Sequence, residues 1–281
     1  MNKVVLSAPK NGEIRVSGVQ AYDSRVEFSA FSAKYVVRGC EQYRIDNRTY
    51  RVESGEYIVG NATTSSHIII DSPQPVLGIC LDIQPEVIQE ILDFEYGTQP
   101  ELAAFILQQE QMVNRYTAAH THLGYAIRHI EQHFEALTRE EAVLHQELFY
   151  TLGECMVKDQ AVLWQQFSRL KTVKQETSKR LFDFVHEARL YIERHYLEPI
   201  ALSSIAQEAH LSEYHFIRLF KKLFGRTPYQ YVLHLRLQHA QLLIREGHAV
   251  AEVAFQTGFA DKSAFCKAFK KKFGQTPSAV K

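Results

Sequence analysis

The chain has 281 residues, 46% hydrophobic and 23% charged, with 32 Lys and Arg against 32 Asp and Glu. That length suffices for two domains with separate cores; no apolar run approaches the roughly 18 to 20 residues of a membrane span, and the N-terminal MNKVVLSAPKNGEIR lacks a signal-peptide apolar segment, so the expected location is cytoplasmic, without membrane association. The zero net charge hides an asymmetry: residues 1–178 hold 16 Lys and Arg against 23 Asp and Glu, whereas residues 179–281 hold 16 against 9, which points to a polyanion-binding C-terminal part.

From about Ala8 to Ile83 short β-branched and aromatic runs are broken by turn signals: KYVVRG, YRIDNRTYRV, GEYIVGN, HIIID and PVLGICLDI. They predict an antiparallel meander or barrel, with Asp46-Asn47 as a tight hairpin turn, since both residues tolerate the left-handed region. A metal-dependent barrel enzyme needs several His and a carboxylate converging on one point. His67 is the only His before residue 120, and one imidazole does not build such a site. No metal and no cofactor is expected. Cys40, Cys80, Cys155 and Cys266 are scattered without a CxxC pair and read as reduced thiols.

After Pro85 the periodicity turns helical. Tyr116, Ala119, Leu123, Ile127, Ile130, Phe134 and Leu137 recur at spacings of three and four, a heptad-like seam. The seam reads either as core or as a dimer contact, with Leu123, Ile127, Ile130 and Phe134 the dimerisation candidates. His122, His129 and His133 border it as partly exposed residues; a metal site or a pH-sensitive interface there is the alternative. Thr138-Arg139-Glu140-Glu141 fits a capping box that starts a new helix toward Leu170. The basic, polar segment LKTVKQETSKR is the linker candidate. The expected division is residues 1–170, a linker at 171–182, and 183–281, with a helix from about Leu181 to His195.

The C-terminal part repeats itself. HFIRLFKKLFGRTP (215–228) returns as AFCKAFKKKFGQTP (264–277), with Phe216/Phe265, Phe220/Phe269, Phe224/Phe273, Gly225/Gly274 and Pro228/Pro277 all 49 positions apart. In each copy a short amphipathic helix, a turn and a second helix form a helix-turn-helix layout. Phe216, Leu219, Phe220, Leu223 and Phe224 make the buried face of the first second-helix, and Phe265, Ala268, Phe269 and Phe273 that of its counterpart. The opposite faces present Tyr214, His215, Ile217, Arg218, Lys221 and Lys222, and Lys262, Ser263, Cys266, Lys267, Lys270 and Lys271. A guanidinium forks onto guanine O6 and N7, and ammonium groups suit phosphates. The small, apolar Cys266 suits a thymine methyl; a redox role is the other reading. Gly225 and Gly274 stand where a left-handed C-cap is wanted, and Pro228 and Pro277 block continuation. A helix from about Pro228 to Glu246 separates the copies, as a rigid spacer between two reading heads about 34 Å apart on one DNA face would.

Residues 183–281 resemble the AraC/XylS-type DNA-binding domain through Val253-Ala254, Gly258-Phe259, Ser263, Phe265, Phe269-Lys270 and Gly274-Gln275-Thr276-Pro277. The resemblance implies base contacts from Tyr214, Ile217 and Arg218, and from Lys262, Ser263, Cys266 and Lys267. It also implies an α+β two-domain chain, with an N-terminal cupin-like β-barrel plus helices and a C-terminal all-α double helix-turn-helix domain. The partners it implies are double-stranded DNA, RNA polymerase, an unidentified small-molecule effector and a second copy of the chain. Ala201 and Ala249 stand where the family often has a Ser or Thr cap, His210 where it often has Gly, and Ala264 where an aromatic or polar residue is usual. The function expected is a transcription regulator, in the family more often an activator; a cupin-type enzyme or ligand binder with an autoregulatory DNA-binding domain, or a regulator answering to a partner protein, are the alternatives.

Overall fold

The structure is a computed structural model that describes residues 2–28, 30–45, 48–107, 115–137, 142–170, 175–208 and 211–280. The chain divides into two compact units, Met1–Gln165 and Gln166–Lys281. The first is built on a curled antiparallel sheet and the second is helical.

Strands β1 (Asn2–Ala8), β2 (Gly12–Glu27), β3 (Phe31–Arg38), β4 (Cys40–Ile45), β5 (Arg48–Glu53), β6 (Glu56–Gly60), β7 (Ser65–Ile83) and β8 (Arg115–Thr117) form one sheet. Its order is β1-β2-β7-β3-β6-β8, with the β4–β5 hairpin attached to β7. HIIID and PVLGICLDI, separate runs in the sequence, belong to the single strand β7. The intervening prolines are accommodated by a bulge: Val19 pairs with Val76 and Ala21 with Asp71, so the Pro-containing segment, poor in donors, drops out of the ladder. Gln20 Nε2 donates to the Pro73 carbonyl at 3.2 Å. β1 and β2 lie upstream of the first run expected as a strand; the length of GEIRVSGVQAYDSRVE comes from pairing with β7 along its whole extent. Gly12 opens β2 where a Cβ would stand 2.3 Å from the Asp82 carbonyl oxygen and 2.7 Å from the Phe149 ring. The turn residues Asp46 and Asn47 lie outside the described residues; their flanks pair as Ile45 with Arg48.

The first unit also holds α1 (Pro85–Tyr96), α2 (Pro100–Leu107), α3 (His122–Leu137) and most of α4 (Ala142–Ser168). The helical seam expected from Tyr116 starts only after Thr121. Tyr116 belongs to β8, where its ring stacks on Tyr57 at 5.1 Å and its hydroxyl accepts from Gln160 Nε2 at 2.8 Å; a 3-10 turn, Ala118–His120, follows. Aromatic pairing and a buried hydroxyl partner outweigh periodicity here. Asp159 of α4 caps α3, taking the His122 and Leu123 amides at 3.0 and 2.9 Å and His122 Nδ1 at 2.8 Å. The expected capping box at Thr138–Glu141 lies outside the described residues.

Leu123, Ile127 and Ile130 are 1%, 0% and 3% exposed within the single chain. Their assignment to a dimer contact is therefore corrected: side chains already removed from water by their own fold have no apolar surface left for a second copy. The Phe134 side chain lies outside the described set. His129 and His133 stack at 4.2 Å, with His133 off helical geometry at φ −115°. Among the described residues no cluster of three or more His, Cys, Asp or Glu is arranged to hold a metal ion, and no described helix is long and apolar enough to cross a membrane.

The second unit consists of α5 (Gln175–His195), α6 (Leu202–Glu208), α7 (Glu213–Phe224), α8 (Pro228–Arg245), α9 (Val250–Gln256) and α10 (Lys262–Phe273). α5 begins at Gln175 rather than near Leu181, so the second half of the polar segment read as linker is helical, with Ser178 and Phe182 buried. Residues 171–174 lie outside the described residues. Leu123→Glu combined with Ile130→Glu should abolish the thermal transition of the sheet unit and drive the chain into aggregates, because burying two unpaired carboxyls at several kcal/mol each offsets most of the about 5 to 15 kcal/mol that holds a typical domain folded. Circular dichroism melting and the soluble fraction check this; a soluble, folded monomer would return these residues to a subunit contact.

Candidate nucleic-acid interface

Each copy of the repeat is built around an aromatic ladder. In α7 Phe216 meets Phe220 at 5.5 Å and Phe220 meets Phe224 at 4.6 Å. In α10 Phe265 meets Phe269 at 5.6 Å and Phe269 meets Phe273 at 4.5 Å. The i, i+4 spacing stacks these rings on one face. Around α10 the cluster is completed by Leu237, Ala240 and Ile244 of α8, Val253 and Ala254 of α9, and Val280. Ile205 and Ala206 of α6 are buried in the first copy of the repeat, in the places that Val253 and Ala254 take in the second copy.

The helix ends are set by local chemistry. Ser212 accepts from the His215 amide at 3.4 Å, and Asp261 from the Ala264 amide at 2.7 Å, so the N-terminal turns of both α7 and α10 have side-chain caps. Thr227 and Gln230 form a reciprocal capping box at the start of α8. These caps have a plain sequence signal, Ser, Asp or Thr just before a helix. Gly225 and Gly274 adopt φ +72° and +74°, and their amides close onto the Lys221 and Lys270 carbonyls, the left-handed stop expected of both. Ala249 gives α9 no side-chain cap.

With the aromatic faces buried, Tyr214, His215, Arg218, Lys221 and Lys222 of α7 are exposed, as are Lys262, Ser263, Lys267, Lys270 and Lys271 of α10. Ile217 is partly exposed. Cys266 departs from the outward reading: it is half-buried and packs against the second-unit core. Arg218 lies over the Tyr214 ring at 5.6 Å and donates to its hydroxyl at 3.3 Å, a stacking that holds the guanidinium on the outer face. Lys272, third in the KKK run, turns inward and donates to the His234 carbonyl of α8 at 2.6 Å.

Arg236 of the spacer helix had no sequence signal at all. Its Nε and Nη2 donate to the Tyr196 and Glu198 carbonyls at 2.6 and 2.8 Å, and Nη1 to the Gly258 carbonyl at 3.1 Å. One guanidinium thus ties the segment after α5 to the end of α9. Gly258 sits at φ +76° with Arg236 Nη1 2.7 Å from where a Cβ would stand, so the glycine serves both the turn and this tether. A second buried tie joins Tyr231 to Glu193 at 2.7 Å; burial, with the Glu193 charge, pushes the Tyr231 hydroxyl up, so it stays a donor.

The sheet unit holds a cavity of about 210 Å³ lined by the apolar Val19, Tyr22, Val26, Ile68 and Ile70 and by Arg15, Lys34, Glu41, Tyr43 and Cys80, with Ser17 beside them. Asp82 accepts from Arg15, from Ser32 Oγ at 2.5 Å and from Lys34 Nζ at 3.1 Å. Burial works to raise the Asp82 carboxyl, but Lys34, Ser32 and Arg15 together hold it below its ordinary range. Tyr43 donates to Glu41, whose carboxyl burial pushes up against the opposing pull of Tyr43 and Lys34. Burial likewise raises the Cys80 thiol, which leaves it a poor nucleophile.

Residues 205–281 match the family model of a helix-turn-helix domain. Among curated proteins, the probable transcriptional regulator LumQ of Photobacterium leiognathi is 34% identical over 128 residues, 43% of this chain and 52% of that protein. The bifunctional transcriptional activator/DNA repair enzyme AdaA of Bacillus subtilis is 38% identical over 89 residues, 31% of this chain and 42% of that protein. The chain spans about half or less of the length of these relatives. A solved probable AraC family transcriptional regulator from Rhodopseudomonas palustris is 25% identical, with 35% of this chain and 94% of that chain covered at a TM-score of 0.34. The helix-turn-helix match lies within the C-terminal unit, and the curated relatives named above are transcriptional regulators.

Arg218→Ala should weaken specific DNA binding by about 1 to 3 kcal/mol and relax discrimination at one base pair. Titration against single-substituted duplexes checks this, and an equal loss on every duplex would make Arg218 a phosphate contact. Lys272 gives a pH signature. Burial, helped by Arg226, lowers its ammonium to about 8 in the folded chain, against about 10.4 when unfolded. Between those values the unfolded state binds more protons, so stability contributed through this group rises with pH. Denaturation midpoints between pH 7 and 9.5 should therefore climb in the natural chain relative to Lys272→Met; a constant gap would mean an unperturbed ammonium.

Proposed function

We propose that this chain is a sequence-specific transcription regulator in which α7 and α10 enter two successive major-groove segments of one duplex. The observation that carries this reading is the duplication itself: two capped helices with the same buried Phe ladder, each leaving a donor-rich face exposed. The spacer α8, 18 residues long, extends about 27 Å at roughly 1.5 Å per residue, of the order of the roughly 34 Å of one DNA turn. In this reading Tyr214, Ile217, Arg218, Lys262, Ser263 and Lys267 face base edges. His215, Lys221, Lys222, Lys270 and Lys271 face the phosphates, which fix register and supply salt-dependent affinity. Cys266, half-buried, contributes its sulfur edge at most to a thymine methyl.

Under this reading the sheet unit is the control module. A small effector enters the cavity beside Lys34, Glu41 and Tyr43, and the chain acts as a homodimer whose contact uses residues other than the buried Leu123, Ile127 and Ile130. RNA polymerase is the partner of the DNA-bound form, activation is the favoured sign, and the chain is a cytoplasmic regulator rather than an enzyme.

Selection of genomic fragments with the purified full chain, followed by titration of the enriched site against scrambled DNA at two salt concentrations, tests the reading. Two motifs about one turn apart, bound more tightly than scrambled sequence at both salts, are the expected result. Equal binding to all duplexes with only a steep salt slope would reduce the basic unit to a nonspecific anchor.

A further inference from the structure

A second concave site lies in the sheet unit, separate from the cavity described above. It is a cleft of about 460 Å³ lined by Arg25, Arg44, Arg48, Thr49, Ser65, Ser66 and His67. Strand register assembles it. Arg25 of β2 pairs with His67 of β7, His67 with Arg44 of β4, and Arg44 with Thr49 of β5. Directly opposed residues of antiparallel strands share a face, so these four form one row across four strands, with Ser65 two residues from His67 on the same face. Ser66 and Arg48 join from the alternate face at the strand ends.

Such a row is unfavourable by itself, because like charges placed opposite each other destabilise a sheet. His67 has a local counter-charge in Asp23, 2.5 Å from Nε2. Arg25 spends its Nε on Ser65 Oγ at 2.8 Å, which leaves its two terminal nitrogens for other acceptors. Arg44 makes no side-chain hydrogen bond or ion pair among the described residues. The other carboxylates of this face, Glu27 opposite Ser65, Asp71 opposite Ala21 and Glu53 opposite Cys40, do not line the cleft.

We propose that this cleft binds a phosphate-bearing small molecule. Two guanidinium forks, hydroxyl donors at Ser65 and Thr49, and a net surplus of cations match a dianionic group with several acceptor oxygens, which arginine recognises in bidentate fashion. A carboxylate offers one charge and two oxygens and would leave most of these donors idle. The cleft volume falls within the roughly 300 to 1,000 Å³ of small-molecule sites, large enough for a phosphorylated metabolite. The inference goes beyond the DNA-binding reading and stands without it.

The test is calorimetric titration of the DNA-free full chain with inorganic pyrophosphate at fixed ionic strength, which keeps general screening constant. One site is expected that weakens about tenfold or more in Arg25→Gln/Arg44→Gln, weakens in Thr49→Val, and persists in Lys221→Gln/Lys222→Gln. Loss only in the lysine variant would assign the anion to the reading helix and overturn the proposal. So would an Arg25→Gln/Arg44→Gln variant that binds pyrophosphate normally. If pyrophosphate failed to bind while that arginine variant lowered affinity for every duplex and flattened the salt slope, the cleft would be a DNA-backbone contact instead. A free-phosphate source is separated from an organophosphate by repeating the titration with orthophosphate: equal affinity for both would overturn the larger ligand.

Discussion

The constraint on which the C-terminal unit depends is the angular economy of a short helix. Twelve residues make little more than three turns, and once a Phe stripe at i, i+4, i+8 is buried, only the opposite side remains for chemistry. α7 and α10 meet that constraint in the same way, with Phe216, Phe220 and Phe224 in one and Phe265, Phe269 and Phe273 in the other. Side-chain caps at Ser212 and Asp261 before the helices and the left-handed Gly225 and Gly274 after them fix where each stripe begins and stops. The outward residues are thus positioned by what the inward ones require.

Binding two such helices into one rigid unit falls to longer-range contacts. Arg236 gathers three carbonyls from two distant segments, and Lys272 anchors α10 to α8 through the His234 carbonyl. These cations face backbone oxygens inside the fold, whereas their neighbours Lys270 and Lys271 face solvent. A run of three lysines therefore holds two roles: two charges free for a polyanion, and one perturbed by burial that works on the fold.

In the sheet unit the corresponding long-range element is the β2–β7 pair, from Gly12 opposite Ile83 to Glu27 opposite Ser65. Because side chains alternate along both strands, this single pairing produces two separate surfaces. Val26, Ile68 and Ile70 go to the interior cavity, and Arg25 and His67 to the outer cleft. A shift of one residue in register would exchange them, so the apolar cavity and the basic cleft are specified together.

The repeat of Phe, Gly and Pro at 49 positions, the stop glycines and the outward basic residues were legible in the sequence, because helix periodicity and cap chemistry act within a few residues. The boundary of α5, the strand assignment of Tyr116 and the unity of β7 were not. Tyr116 follows a helical spacing but gains more from stacking on Tyr57 and from the Gln160 hydrogen bond; the prolines of β7 look like a break but lie in a bulge. Leu123, Ile127 and Ile130 were visible as an apolar stripe, yet a stripe does not say whether its cover comes from the same chain or another. By itself the sequence determined which segments form the two repeated helices and which of their faces is apolar. Only the tertiary structure decided that Cys266 turns partly inward, that Arg236 is a tether, and that Arg25, His67 and Arg44 stand side by side, because each depends on contacts between residues far apart in the chain, which no local pattern encodes.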